Sequence, residues 1–287
     1  MTEPAVLDGP RGPPPSRAPV LGLGPTLAFV LVLAGLFTLG GIPLQMLLGE
    51  TALPLAQVLL LLLPSLLFIR LGGFDPVRTL SLRWPTRGQV AGGVIVLVGG
   101  VQLAWFLAWA QSFVVPVPVE YLETMATALR ADSLGRFLWI LLVAALVPAV
   151  VEEVVFRGIV LSGFRAALPT MWAVLGAGIL FGAFHLSPET AFRFVPTAWL
   201  GVVLGGIVVA TGSLPLSMLL HGVNNALILA VTSVSVSGDR FGEAQAEPPL
   251  AILPLALLLS FWGIRILSRE RRAQRPSSAE PAAAPGP

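Results

Sequence analysis

Long apolar stretches recur along most of this chain, and they constrain its fold more than any other feature of the sequence. Hydrophobic residues make up 55% of the 287 positions, and charged residues make up only 11%. A helix needs about 20 apolar residues to cross the roughly 30 Å hydrocarbon core of a membrane, and several stretches reach that length. Because lipid cannot satisfy free backbone polar groups, such segments cross as helices. We therefore predict an all-α fold, a polytopic membrane helical bundle.

The apolar stretches predict about eight transmembrane helices. They lie at 25–48, 52–70, 89–111, 137–161, 170–187, 194–211, 214–235 and 250–268. The first, second and last are dominated by Leu, Val and Ala, and we interpret them as lipid-facing scaffold. Between the third and fourth, Leu122, Met125 and Leu129 recur at helical spacing in a segment too polar to cross. This spacing predicts a short helix on the membrane surface.

The two ends of the chain differ in composition from the apolar body, 25–268. Residues 1–24 are rich in proline and poor in groups that could form a core, which predicts a disordered tail. The segment 269–287 begins with a cluster of arginines and finishes in Ala and Pro. We expect a basic membrane anchor followed by disorder there.

Arginine placement predicts the orientation in the membrane. All 17 basic residues are arginines. If the N-terminus is cytoplasmic, 12 arginines lie on the inner side (11, 17, 70, 78, 83, 87, 165, 265, 269, 271, 272 and 275) and four on the outer side (130, 136, 193 and 240). The positive-inside rule then predicts that both termini are cytoplasmic. We expect an integral protein of a bacterial inner (cell) membrane, in contact with lipids and with no nucleic-acid partner.

Charged groups inside the fourth apolar stretch are candidates for chemistry, because an ionisable group at a membrane helix centre costs ~3 kcal/mol or more. Glu153 and Arg157 are four residues apart, so they share a helix face and are predicted to form an ion pair. Neighbouring side chains point about 100° apart, which leaves Glu152 facing elsewhere without a local cation. A carboxylate in an apolar pocket suits a general base or acid. The alternative is a polar network that only holds helices together.

The two histidines of the chain lie in two other predicted spans. His185 lies near the end of the fifth, and His221 lies in the seventh, one turn before Asn225, with Asn224 bordering the same face. Either histidine alone is also typical of a structural hydrogen bond between helices. Polar groups on three apolar helices together favour a shared site.

Three motifs in these spans resemble the signature motifs of the CPBP family, the CAAX-protease and bacteriocin-processing (Abi) enzymes that include the Ras-converting CAAX endopeptidase. They are Glu-Glu-x-x-x-Arg at 152–157, Phe-x-x-x-His at 181–185 and His-x-x-x-Asn at 221–225, in family order within 137–235. The resemblance implies an intramembrane endopeptidase. Its substrate would be a peptide or a membrane-anchored protein.

The resemblance also implies a role for each matching residue. Glu152 would activate the attacking water, and His185 would help to hold that water. His221 and Asn225 would stabilise the oxyanion of the scissile carbonyl. The carboxylate–arginine pair of the first motif would support them. This division suits peptide hydrolysis, which needs a base, oxyanion stabilisation and a proton for the leaving amine.

The need for a metal is left open by the sequence. Glu152, His185 and His221 could also bind a catalytic zinc, as in a metalloprotease. The His-Glu-x-x-His zinc motif is absent, and the chain has no cysteine. The resemblance favours a glutamate-dependent site without metal.

The depth of His185 in the membrane conflicts with the other site residues if the helices are straight. At ~1.5 Å per residue, Glu152 lies ~22 Å along a helix that enters from outside, and His185 lies ~22 Å along one that enters from inside. A bend at Pro148, or a fourth helix that extends to about Arg165, would bring them together. We predict that the four site residues converge in one water-accessible cavity.

Two other functions fit an apolar chain with buried polar groups. A non-catalytic membrane scaffold or immunity factor of the same fold would keep the bundle, although damaged motifs would be expected and none is seen. A proton-coupled transporter could use the same carboxylates and histidines as a relay. Such transporters often have repeated halves, and no internal repeat is evident here.

Overall fold

The computed structural model of the protein describes residues 18–235 and 248–274, with side chains in the first range given up to 231. The helices of this part of the chain, labelled in order, are α1 (Leu23–Leu48), α2 (52–71), α3 (Pro76–Thr79), α4 (Arg87–Ser112), α5 (Val119–Ala128), α6 (Leu134–Arg165), α7 (Thr170–Ala183), α8 (Phe194–Thr211), α9 (Leu214–Ser235) and α10 (Ile252–Ala273). The predicted all-α class is confirmed.

Six helical stretches within the described residues are long and apolar enough to cross a membrane. They are Leu23–Leu71, Arg87–Ser112, Leu134–Arg165, Ala191–Thr211, Leu214–Val231 and Ile252–Ala273. The polytopic helical bundle is therefore confirmed, whereas the count of eight spans stays a prediction. Helix α7 is apolar but shorter, at 14 residues.

The first of these stretches is a hairpin of two helices. Helix α1 ends at the 3₁₀ turn Gly49–Thr51, where Gly49 has φ of 57°, a conformation that favours glycine. The Phe29 ring then stacks on the Phe68 ring with 4.3 Å between centroids. Residues near the two ends of the stretch thus meet, so α1 and α2 pack antiparallel.

Helix α6 carries the first motif and contains two π-helical turns. The Ser133 hydroxyl caps its start by accepting a hydrogen bond from the Arg136 backbone N–H at 3.2 Å. The first π-turn, Leu142–Leu146, directly precedes Pro148, and the second is Val154–Val160. Proline has no N–H to donate to the preceding turn, and a π-turn accommodates that loss. The helix therefore passes Pro148 and continues to its end at Arg165.

Small residues allow close packing of α7 on α8. A Cβ atom on Gly201 of α8 would lie 2.8 Å from the Cα atom of Gly178 on α7. Likewise, a Cβ atom on Gly182 would lie 3.0 Å from the Phe194 carbonyl oxygen. Contacts of this kind let membrane helices approach without bulky side chains between them. They place the end of α7 directly beside α8.

The last helix, α10, packs on α4 by the same means. A Cβ atom on Gly99 would lie 2.7 Å from the Ala256 carbonyl oxygen, and one on Gly263 would lie 2.8 Å from the Val96 nitrogen. The eighth predicted span is therefore not scaffold that faces only lipid. One of its faces is closely packed within the bundle.

The segments outside the predicted spans are described only in part. Most of the predicted tails, 1–24 and 269–287, lies outside the described residues, although α10 continues to Ala273. The helix predicted between the third and fourth spans is present as α5. Its exposed face carries Glu120 and Glu123.

Candidate active site

Three of the predicted site residues meet although they come from different parts of the chain. Glu152 Oε2 lies 3.8 Å from His185 Nε2 and 4.0 Å from His221 Nε2. The exposed fraction of the side chain is 10% for Glu152, 3% for His221 and 29% for His185. The cluster is thus largely buried, and His185 is its most accessible member.

The hairpin of α6 and α7 explains how His185 reaches the depth of Glu152. Glu152 lies ~20 Å before the end of α6 at Arg165, and His185 lies ~22 Å after the start of α7 at Thr170. Because the chain reverses between the two helices, both residues lie at nearly the same level. The sequence-based end of the fourth span, 161, was too early, and the extension to Arg165 removes the conflict.

Glu153 lies on the far side of His221 from Glu152 and contacts three polar side chains. Its Oε1 lies 2.8 Å from Arg157 Nη1 and 2.9 Å from His221 Nδ1, and the Ser217 hydroxyl donates to its Oε2 at 2.5 Å. The predicted ion pair is present. An ionised carboxylate only accepts hydrogen bonds, so His221 donates from Nδ1 and turns Nε2 toward Glu152.

The buried Arg157 side chain joins three helices of the site. Its Cζ lies 4.3 Å from the centre of the Phe181 ring on α7, and its Nη2 donates to the Gly201 carbonyl on α8 at 3.4 Å. Nη1 is within ion-pair distance of Glu153 but not at a hydrogen-bond angle. A buried guanidinium needs such compensation for its lost hydration. Arg157 therefore holds α6, α7 and α8 in fixed register.

The Phe181 residue orients both histidines. Its ring meets the imidazole of His185 edge-on at 4.8 Å and that of His221 at 5.7 Å between centroids. His185 Nδ1 lies 2.8 Å from the Phe181 carbonyl oxygen. Since a carbonyl can only accept, Nδ1 donates, and Nε2 of the neutral imidazole is left as an acceptor facing Glu152.

Asn225 lies one helical turn beyond His221 on α9, as its spacing predicts. Its Oδ1 accepts a hydrogen bond from Asn224 Nδ2 at 3.3 Å. Asn224 is buried, whereas Asn225 is partly exposed. Within the described residues, no hydrogen bond joins Asn225 to Glu152 or to either histidine. The structure therefore brings three of the four predicted residues together and, within the described residues, shows no such contact for Asn225.

Gln57 joins the site from α2, and the motif pattern missed it. Its Nε2 donates to Glu152 Oε1 at 3.0 Å. The interpretation of the second span as lipid-facing scaffold is therefore wrong at this position. A signal was available, because Gln57 is the one amide side chain in the apolar stretch 52–70.

The spacing of the cluster is wider than that of an ideal zinc site. Tetrahedral zinc with bonds of about 2.0–2.2 Å places its ligand atoms about 3.4 Å apart. The Glu152 oxygen lies farther than this from both histidine nitrogens, at 3.8 and 4.0 Å. Among the described residues, no group of three or more His, Cys, Asp or Glu side chains is arranged to hold a metal ion.

The fold and the cluster together define a polytopic membrane protein with a buried glutamate–histidine site. Residues 134–227 match the family described as type II CAAX prenyl endopeptidase Rce1-like. This match supports the resemblance to the CPBP family of CAAX proteases that the three motifs predict. Searches of curated proteins and of solved structures gave no match. The matched region runs from the start of α6 into α9 and includes every motif residue.

Proposed function

We propose that this protein is a glutamate-dependent intramembrane endopeptidase that hydrolyses a peptide bond in a membrane-associated peptide or protein. The family match over residues 134–227 supports a CAAX-type membrane protease in general. One observation carries the finer proposal. Glu152 Oε2 faces the Nε2 atoms of His185 and His221 at 3.8 and 4.0 Å. These gaps are too long for direct hydrogen bonds and suit one bridging water molecule.

In this proposal the attacking water binds between Glu152 and His185. His185 Nε2 accepts a hydrogen bond from the water, and Glu152 Oε2 removes the other proton as general base. The water oxygen then bonds to the carbonyl carbon of the substrate, which becomes tetrahedral and carries an oxyanion. The electron pair of the carbonyl π bond moves to that oxygen.

His221 and Asn225 stabilise the oxyanion in the next stage. Because His221 Nδ1 donates to Glu153, its Nε2 can donate only when the imidazole is protonated. The Glu153 carboxylate lies 2.9 Å from Nδ1, in the place that a carboxylate takes behind a catalytic histidine. The Asn225 amide offers a second donor one turn away. When the oxyanion collapses, the C–N bond breaks and Glu152 returns its proton to the leaving amine.

Cleavage of membrane-anchored peptides by the purified protein tests this proposal. The substrates are lipid-anchored peptides in vesicles, with and without a prenylated cysteine, and the products are identified by mass spectrometry. We expect Glu152→Gln to lower kcat about 10²–10⁴-fold, since that is the range that a general base contributes. Glu189→Gln is the matched control, because Glu189 is exposed and outside the cluster. Its kcat should equal that of the wild type.

The same assay separates the alternatives. Equal cleavage by the wild type and Glu152→Gln would contradict the assignment of the base. Loss of cleavage on addition of a chelator, with recovery on addition of zinc, would show a metalloprotease. If the folded wild type cleaves none of the peptides, a non-catalytic scaffold or a transporter becomes the better account.

A further inference from the structure

We infer that Gln57 is a positioning residue of this site, whose amide fixes the Glu152 carboxylate so that Oε2 is the oxygen that takes the proton from water. This inference rests on the proposed function. Gln57 lies on α2, outside the region 134–227 that carries the family match. It joins the site only through the packing of the first hairpin.

The hydrogen bond from Gln57 makes the two oxygens of Glu152 different. Nε2 donates to Oε1 at 3.0 Å, while Oε2 faces both histidines. A carboxylate without such a partner could rotate and exchange its oxygens. With Oε1 bonded, the lone pairs of Oε2 are directed toward the place proposed for the water. The geometry therefore selects one oxygen as the base.

The donor on Glu152 is neutral, and this matters for a base. Glu153, its neighbour, is paired with the guanidinium of Arg157 at 2.8 Å, so a full positive charge lies against that carboxylate. An amide orients a carboxylate without bringing a full positive charge to it. Glu152 is thus oriented by a donor that brings no charge to it, and it can accept a proton during the reaction.

The carbonyl end of the Gln57 amide indicates that the bond to Glu152 sets the orientation of the amide. Gln57 Oε1 is buried and has no hydrogen-bond partner among the described residues. An unpaired buried acceptor is unfavourable, because it has lost its hydrogen bonds to water. Turning the amide over would place Oε1 against a carboxylate oxygen, where two acceptors repel. The observed orientation is the one in which the amide donates to Glu152.

Gln111 shows what a structural glutamine in this protein looks like. Its Nε2 donates to the Ala191 carbonyl at 2.7 Å, and its Oε1 accepts from the Val195 N–H at 2.9 Å. Both ends of its amide join α4 to the start of α8. In Gln57, by contrast, only the Nε2 end of the amide forms a hydrogen bond, and its acceptor is the candidate base Glu152.

The local backbone of α2 also places Gln57 against α6. Gln57 begins the π-helical turn Gln57–Leu62, which packs on the 147–153 segment of α6. A π-turn widens the helix locally and is frequent at functional sites. Here it lies at the level where α2 meets the first motif.

The first test compares Gln57→Met with Gln111→Met in the cleavage assay. Methionine keeps the length of glutamine and removes the donor. We expect Gln57→Met to lower kcat about tenfold or more with KM changed less than twofold, and to lower Tm no more than Gln111→Met. The control should lose thermal stability and keep its kcat. Wild-type kcat in Gln57→Met would overturn the inference.

The second test uses Gln57→Glu and the pH dependence of cleavage. The introduced carboxyl group can donate a hydrogen bond to Glu152 when it is protonated, and it repels Glu152 when it is ionised. We expect the pH optimum to move to lower pH than in the wild type. His185 and His221 are the other titratable groups that face the Glu152 carboxylate, and Glu153 and Arg157 lie behind them. All four residues are the same in the wild type and in Gln57→Glu. An unchanged optimum would overturn the inference even if Gln57→Met fails to fold.

The two proposals fail in different ways. If Glu152→Gln is inactive while Gln57→Met and Gln57→Glu behave as the wild type, the role of Gln57 is wrong and the proposed function stands. If Glu152→Gln cleaves as the wild type does, the proposed function itself is wrong.

Discussion

Glu152 and Glu153 are adjacent in the chain but have opposite surroundings. Glu153 is enclosed by a guanidinium, an imidazole and a hydroxyl, whereas Glu152 contacts a neutral amide and faces two imidazoles across 3.8 and 4.0 Å. The helix produces this difference, because it turns successive side chains by about 100°. These contacts support a structural role for Glu153 and a chemical role for Glu152.

The Ser217 hydroxyl gives a residue-scale test of the Glu153 network. Ser217→Ala removes a hydrogen bond to a buried carboxylate, and we expect the free energy of unfolding to fall by about 1.5–3 kcal/mol. Chemical denaturation in detergent measures this change. Ser65→Ala is the matched control, since that buried hydroxyl donates to the Leu61 carbonyl of its own helix at 2.6 Å. If both variants lose the same stability, Glu153 does not depend on Ser217.

At the scale of single residues, the sequence predicts what lies on one helix and misses what crosses between helices. The i,i+4 spacing correctly predicts the Glu153–Arg157 pair, and the helical rotation correctly separates Glu152 from it. Neither rule can show that Gln57, 95 residues away, donates to Glu152. That contact depends on how α2 packs against α6, which no local pattern contains.

At the scale of elements, the position of one helix end decides whether the site can form. The sequence predicts α6 and α7 as separate spans. The depth of Glu152 relative to His185, however, depends on whether α6 ends at 161 or at Arg165. Four residues change depth by ~6 Å, which exceeds the tolerance of a hydrogen-bonded site. The end of a helix is hard to predict from sequence when neither a proline nor a cluster of charged residues follows immediately. This is the case after Phe164, where the next proline is Pro169.

The close contact of α7 with α8 gives an element-scale prediction. A Cβ atom on Gly178 would lie 2.6 Å from Val202 Cγ2 and 2.9 Å from the Ala198 carbonyl oxygen. We expect Gly178→Ala to push α7 outward, to cost about 1–3 kcal/mol of stability and to lower kcat by displacing His185. Thermal unfolding and the cleavage assay measure the two effects.

Gly206→Ala is the control for this substitution. Gly206 lies in the neighbouring helix α8, and a Cβ atom there would meet nothing within 4 Å. Alanine should be neutral or slightly stabilising at that position, because it favours the helix. Wild-type stability and activity in both variants would show that the contact between α7 and α8 does not position His185.

At the scale of the whole molecule, composition alone predicts a polytopic helical bundle, because the lipid environment leaves few other folds. What composition cannot give is the arrangement of helices around the site. The first hairpin brings an amide to α6, and glycines on α8 and α4 let α7 and α10 pack closely. The glycines in these contacts look like ordinary apolar scaffold in the sequence, and the amide stands alone in an apolar stretch.

The orientation of the molecule in the membrane is a whole-chain property that the arginine distribution predicts. Because the chain has no cysteine, a single introduced thiol reports its own side of the membrane. Asp132 and Ala166 are both exposed, and they flank α6 at opposite ends. The positive-inside rule places Asp132 outside and Ala166 in the cytoplasm.

We therefore expect a membrane-impermeant maleimide to label Asp132→Cys in intact cells and Ala166→Cys only after permeabilisation. The cysteine-free wild type measures background labelling, and retained cleavage activity shows that each variant is folded. The opposite labelling pattern would reverse the orientation. Because Glu152 lies ~27 Å from the start of α6 and ~20 Å from its end, reversal would move the site across the bilayer centre, to the outer half of the membrane. The substrate would then have to reach the site from the outer leaflet.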